Sequence, residues 1–300
     1  MTRGGFHHQR FAALLFLSAA ILVGWLGSGN VSASSPEATS SNVQPPIPMP
    51  VSFQDLLALP IGETPPQTVI YGPAPQQTLL HFPSALETHV NLLLVHGGCW
   101  SNAYDRQHAI PMARALAGAG YNVWLAEYRR VGDPGGGWPG SVDDIASATQ
   151  KIAALSEEPP WLVGHSAGGH LALLTAADPT LPIKGVLALA AITNLATYAG
   201  QEGSCPSMVA EFLGGAPESH PDRYTLATVH NKTLLKPMRL ILGEVDTIVG
   251  PDQLTGFAET NTKIIAKSGH FDLIHPATTA FGQVLKTLED LTQTGRNSDD

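Results

Sequence analysis

The segment Gly164-His165-Ser166-Ala167-Gly168-Gly169 carries the strongest chemical signal in the chain, a serine set among small residues in the pattern G-x-S-x-G. In front of it, the apolar run Pro160-Trp161-Leu162-Val163 suits a buried strand; behind it, Leu171 to Ala177 suits a helix. A serine on such a strand-turn-helix corner stands clear of the chain, where a substrate carbonyl can reach its hydroxyl. Ser166 is therefore the candidate nucleophile, and an ordinary turn serine would have no use for the partners that follow it.

A serine hydroxyl attacks poorly until a histidine takes its proton and a carboxylate holds that histidine in the productive tautomer. Met238 to Gly243 reads as a strand running into Glu244-Val245-Asp246, and Lys263 to Ala266 as another running into Ser268-Gly269-His270. Asp246 and His270 then sit at strand C-terminal ends, the edge where a parallel sheet collects its ligands. Glu244 and Asp252 compete for the acid's place. Asp246 is preferred because it lies just past the strand, whereas Asp252 beside Pro251 suits a helix N-terminus. His275 competes with His270, but it precedes Pro276 at a helix start.

Attack on a carbonyl also needs donors for the oxyanion. Asn91 to Val95 is an apolar strand candidate that runs into His96-Gly97-Gly98-Cys99-Trp100. Backbone N–H groups of Gly98 and Cys99, with that of Ala167 after the serine, can converge on one oxygen. His165 and Trp100 are placed at the substrate pocket; Trp100 either lines the acyl site or packs beneath the oxyanion turn. His96 and His165 read as hydrogen-bonding partners for the two crowded loops and His170 as the start of a helix, none of them as a reacting group. Arg129, Arg130, Asp143 and Asp144 read as ion pairs holding the loop around Trp138 and Pro139.

Taken in order, His96-Gly97-Gly98-x-Trp100, Glu127-Tyr128-Arg129-Arg130, Gly137-Trp138-Pro139-Gly140 with Asp143-Asp144, Gly164-His165-Ser166-Ala167-Gly168-Gly169, Asp246 and Gly269-His270-Phe271-Asp272 resemble the esterase and lipase branch of the α/β-hydrolases. Within it the chain is most similar to feruloyl-esterase-like and kynurenine-formamidase-like members, over residues 67–290. It departs from the hormone-sensitive-lipase pattern at Cys99, where that pattern has a third glycine. The resemblance implies an α/β-hydrolase fold, a doubly wound and mostly parallel sheet, and hydrolysis of small carboxylic esters through an acyl-enzyme. An amidase or formamidase using the same residues is the first alternative, and a binding module without catalysis the second. Peptidases of this fold carry an added propeller or cap domain, for which residues 34–66 are too few.

Those residues need a scaffold, and the rest of the chain supplies one. Helix candidates Ala109–Ala119, Asp143–Leu155, His170–Ala177, Asp252–Thr260 and Thr278–Leu291 alternate with strand candidates Asn122–Tyr128, Trp161–Gly164, Lys184–Ala190, Arg239–Leu242 and Lys263–Ala266. Thr68–Tyr71 and Thr78–Phe82 suggest an edge hairpin. Residues 193–236, rich in Gly, Pro, Ser and Asn, break the alternation between two strands whose ends carry the site, which marks them as a lid.

With 300 residues and 43% hydrophobic content, one hydrolase domain over 51–295 is expected. Ahead of it, Arg3 and Arg10 precede an apolar run from Phe11 to Gly27, and Val31-Ser32-Ala33 resembles a cleavage site. A signal peptide over 1–33 and a Ser/Pro-rich linker over 34–50 follow, with secretion or a periplasmic location, an uncleaved membrane anchor being the alternative. A net charge of −9 without a basic patch argues against nucleic-acid binding. The 12 histidines lack paired ligand spacing, so no metal or other cofactor is expected, and the partner is a small ester or amide substrate. Cys99 and Cys205 can pair in an oxidising compartment if the fold brings them within reach.

Overall fold

Runs of consecutive buried apolar residues, too short for helices and rich in Leu and Val, form the centre of the sheet. The computed structural model describes residues 50–86, 90–230 and 232–297. The expected signal peptide over 1–33 and all of the linker but its last residue lie outside them. In chain order the strands are β1 (Gln67–Ile70), β2 (Thr78–Phe82), β3 (Asn91–Val95), β4 (Asn122–Ala126), β5 (Trp161–His165), β6 (Gly185–Leu189), β7 (Met238–Gly243) and β8 (Thr262–Ile265). Their spatial order is β1-β2-β4-β3-β5-β6-β7-β8. β2 pairs antiparallel with both β1 and β4, and every pairing from β4 to β8 is parallel. β3, β5 and β6 are buried along their whole length, whereas β1 at the edge is mostly exposed.

The helices are α1 (Phe53–Leu57), α2 (Ile110–Gly118), α3 (Gly140–Leu155), α4 (Ala167–Ala176), α5 (Leu195–Ala199), α6 (Ser204–Leu213), α7 (Pro221–Ala227) and α8 (Thr279–Asn297). In α3, Ile145, Ala148, Thr149 and Ile152 recur at helical spacing and turn one stripe to the core. Every residue of α4 is buried, so the helix behind Ser166 is a core element without a solvent face.

Three expectations change. Asp252–Thr260 is not an α-helix: two single 3₁₀ turns, Pro251–Leu254 and Glu259–Asn261, stand there, separated by extended Thr255 and by Gly256 at φ 90°. That left-handed glycine ends any continuous helical ladder. The segment 193–236, expected as a lid broken by Gly, Pro, Ser and Asn, carries three helices, α5, α6 and α7, over about half its length. α1 stands at the start of the expected domain, where no element was read from the sequence; Ser52 and Asp55 cap it reciprocally, each side chain accepting the other's backbone N–H.

Candidate active site

Ser166 takes φ 56° and ψ −122°, a backbone region that a non-glycine residue occupies only when its surroundings hold it there. Its N–H donates to the Leu189 carbonyl on β6, and its own carbonyl accepts the His170 N–H of α4. The corner closes because Gly164 and Gly168, two residues to either side, lack side chains. A Cβ on Gly164 would stand 2.4 Å from the Gly168 carbonyl oxygen, and one on Gly168 would stand 2.2 Å from that of Val95. The G-x-S-x-G spacing is thus a packing requirement between β5, α4 and the end of β3.

His270 and Asp246 meet from the ends of β8 and β7. The His270 ring donates from Nδ1 to Asp246 Oδ2 at 2.8 Å, with both side chains almost wholly buried. The other Asp246 oxygen accepts the N–H groups of Ile248 and Val249 at 2.8 and 2.9 Å, which fixes the carboxylate from behind. With Nδ1–H committed to Asp246, Nε2 carries the lone pair that a base needs. Neither rival carboxylate is near the ring: Glu244 accepts the Lys267 N–H, and Asp252 binds the amides of Gln201 and Gln253. His275 is occupied locally, accepting the Ala277 N–H.

His96, His165 and His170 are each held by hydrogen bonds to the frame. His165 Nε2 donates to the His270 carbonyl at 3.1 Å, and the two rings lie 4.5 Å apart. Burial drives the His165 ring well below the usual imidazole range, so it stays neutral. His170 donates from Nε2 to the Ala227 carbonyl and accepts the Trp100 indole N–H at Nδ1, and burial lowers it to about 4. His96 faces acceptors with both nitrogens, the Gly97 carbonyl and Glu127 Oε1. Burial alone would raise Glu127, but the bond from His96, the charge of Arg130 and the Arg106 N–H bring it down to about 2.

At the turn after β3, where oxyanion donors were expected, Gly98, Cys99 and Trp100 take φ 112°, 51° and 57° in succession. None of the Gly98, Cys99 and Ala167 N–H groups is used in a hydrogen bond within the described residues. Trp100 does not line the pocket, which corrects its placement there; its side chain is fully buried and stacks on Phe212 at 4.9 Å. Its indole needs a buried acceptor, and His170 supplies one beneath the turn. Cys99 and Cys205 form a disulfide that ties this turn to α6.

The surrounding ion pairs differ in part from expectation. Arg129 binds Asp144 at 2.6 Å, while Arg130 binds Glu127 and Asp133 rather than a residue of α3. Asp143, on the outer side of α3, forms no ion pair among the described residues.

Ser166, His165 and His270 open on one cavity of about 360 Å³, also bounded by Gly98, Cys99 and Cys205. Sequence reasoning missed its aromatic wall of Phe53, Tyr104, His108 and Phe271. Phe53 lies between the other three, with ring centroids 5.5–5.6 Å away. Its only trace in the sequence is the Ser52-x-x-Asp55 capping spacing, which announces a helix start but not what the helix faces. Among the described residues no cluster of three or more His, Cys, Asp or Glu is arranged to hold a metal, and no helix is long and apolar enough to cross a membrane.

A mostly parallel sheet flanked by helices, with a serine on a strained corner after the fifth strand, defines the α/β-hydrolase architecture. The family pattern described as alpha/beta hydrolase matches residues 92–263, more than half of the chain, and the protein belongs to that family. No curated protein gives a match. Solved structures share the fold. Esterase B from Lactobacillus rhamnosis is 21% identical, with a TM-score of 0.66 over 82% of this chain and 91% of its own. A putative thioesterase from Silicibacter sp. TM1040 is 19% identical, with a TM-score of 0.59 over 73% and 83%. An acetyl ester-xyloside bifunctional hydrolase from Caldicellulosiruptor lactoaceticus is 16% identical, with a TM-score of 0.63 over 77% and 96%.

Proposed function

We propose that the protein is a serine carboxylesterase acting on esters of small carboxylic acids. The observation that carries this reading is the meeting of Ser166, on its strained corner, with the Asp246-bound His270 ring at one cavity. Ester-cleaving relatives of the same fold, among them esterase B, point the same way.

In the proposed reaction, Ser166 Oγ bonds to the substrate carbonyl carbon as His270 Nε2 takes the hydroxyl proton. The carbonyl oxygen gains the charge and is met by the N–H groups of Ala167 and of Gly98 or Cys99. The tetrahedral adduct collapses, the carbon–oxygen bond to the alcohol breaks, and Nε2 returns the proton to the leaving oxygen. Water then repeats the sequence on the acyl-enzyme and restores the free hydroxyl. Among the described residues the Ser166 hydroxyl has no hydrogen-bond partner; nucleophile and base in such sites commonly tighten only once substrate is bound.

Export from the cytoplasm belongs to the same proposal. The apolar run near the N-terminus supports it, and so does the Cys99–Cys205 bond, since disulfides persist in oxidising compartments.

A fluorophosphonate probe and a substrate panel test the reading together. The probe should attach to Ser166, and an aryl acetate should turn over faster than an N-formyl or peptide amide. Preference for the N-formyl amide would make the protein a formamidase with the same residues. Failure of the probe to label would leave a binding module.

A further inference from the structure

We infer that Cys205, through its disulfide with Cys99, is a positioning residue for ester hydrolysis: it holds the oxyanion turn in its working shape. The inference rests on the serine-esterase reading above.

The turn is costly to maintain. Gly98, Cys99 and Trp100 all lie in the left-handed region, and two of them carry a Cβ that disfavours it. Such a backbone relaxes unless its surroundings over-determine it. On the sheet side, the Ser101 N–H bonds the Gly98 carbonyl and the Val131 N–H bonds that of Trp100. On the other side, α6 supplies the restraint. Cys205 and Phe212 are seven residues apart and so share one face of that helix. Cys205 is bonded to Cys99, and Phe212 stacks on Trp100. The Phe212 carbonyl also accepts the Trp138 N–H, which joins α6 to a third loop.

Two adjacent residues of the strained turn are therefore each gripped by the same helix face. Of the two grips, only the disulfide acts on Cys99, whose N–H is a candidate oxyanion donor. The same bond fixes the cavity wall, because Gly203, Ser204, Cys205 and Pro206 line it at the start of α6. Breaking it leaves Cys99 free to leave φ 51° while Trp100 stays packed. The predicted consequence is a loss concentrated in transition-state stabilisation rather than in substrate affinity.

The test begins with the oxidised protein, whose labelling by a fluorophosphonate and turnover of p-nitrophenyl acetate report on the esterase reading alone. Dithiothreitol then converts the bond to two thiols, leaving as its own cyclic disulfide; thiol counting confirms reduction and circular dichroism confirms the fold. Cys99→Ser, Cys205→Ser and the double variant are assayed beside it, well below their melting temperatures. We expect kcat to fall by about tenfold or more, short of the roughly hundredfold to thousandfold that follows loss of a whole donor. Affinity for a trifluoromethyl ketone, which mimics the oxyanion, should fall by the same factor while KM moves by less than about threefold. The double variant should lose no more than either single one, because the bond is already absent in each.

A folded, reduced enzyme with kcat within about twofold of the oxidised form would overturn the inference, as would a loss seen in Cys99→Ser but not in Cys205→Ser. Unfolding of all four altered forms would show the bond to be a determinant of folding and would equally overturn it. Absence of labelling and turnover in the oxidised protein would instead defeat the esterase reading.

Discussion

Replacing Asp246 by asparagine changes one atom and should nearly silence the enzyme, for a reason visible in the loop. Asp246 uses one oxygen to accept the Ile248 and Val249 N–H groups and the other to accept His270 Nδ1–H. An asparagine that keeps its oxygen on the two backbone donors must turn its NH₂ toward His270. That NH₂ donates to Nδ1 and drives the proton to Nε2, the atom that receives the serine proton in the proposed reaction. Flipping the amide would restore the tautomer but would set the NH₂ against two partly buried N–H donors, each losing its acceptor at about 1–3 kcal/mol. The productive form then lies about 2–6 kcal/mol above the unproductive one, so kcat should fall by about 30-fold to 10⁴-fold, with about a thousandfold as the central expectation. Steady-state kinetics on p-nitrophenyl acetate give kcat and KM, and a melting curve verifies the fold. KM should change little. A loss of less than about tenfold in a folded Asp246→Asn protein would refute the argument, as would a comparable loss on replacing Glu244 or Asp252.

Ser166→Ala removes one oxygen and no core volume, so turnover should drop on the order of a millionfold while the melting temperature holds; retention of a tenth of the activity or more would take Ser166 out of the reaction. His170 and His108 are lowered to about 4 by burial, against about 6.5 unfolded, so the folded state resists protonation. The stability they contribute is complete above about pH 6.5 and disappears as the pH falls to about 4, at about 3 kcal/mol each; urea midpoints that stay flat from pH 7 to 4.5 would contradict this. Glu127, lowered to about 2, adds its loss only below about pH 4.5, in a separable window. Asp144→Ala strands the partly exposed Arg129 guanidinium, the Arg129 N–H and the Gln77 amide, and should lower unfolding free energy by about 2–3 kcal/mol in urea titrations; less than about 1 kcal/mol would mean the pair is already solvated.

The sequence by itself determined the parts of this protein whose cause is local. Unbroken apolar runs of four or five residues alternating with helical patterns read as buried strands, and Gly164 and Gly168 mark a corner too tight for a Cβ, so the mostly parallel sheet and the corner that carries Ser166 were legible. The tertiary structure decided whatever depends on which distant surfaces touch. Position past the strand favoured Asp246 over Glu244 and Asp252, but the contact itself depends on the fold: the loop closes onto the Ile248 and Val249 N–H groups and turns Asp246 toward His270. Trp100 read equally well as pocket wall or as packing until His170 and Phe212 met it under the turn. The 252–260 segment has helix-compatible residues, yet extended Thr255 and left-handed Gly256 divide it into two turns. Phe53, some 110 residues before Ser166, reaches the cavity because α1 packs beside Tyr104, His108 and Phe271. Cys99 and Cys205 lie 106 residues apart, and their bond exists because α6 lies across the oxyanion turn. Periodicity and turn chemistry act over a few residues and are written in the chain, whereas contacts across the fold arise only when all the elements have packed.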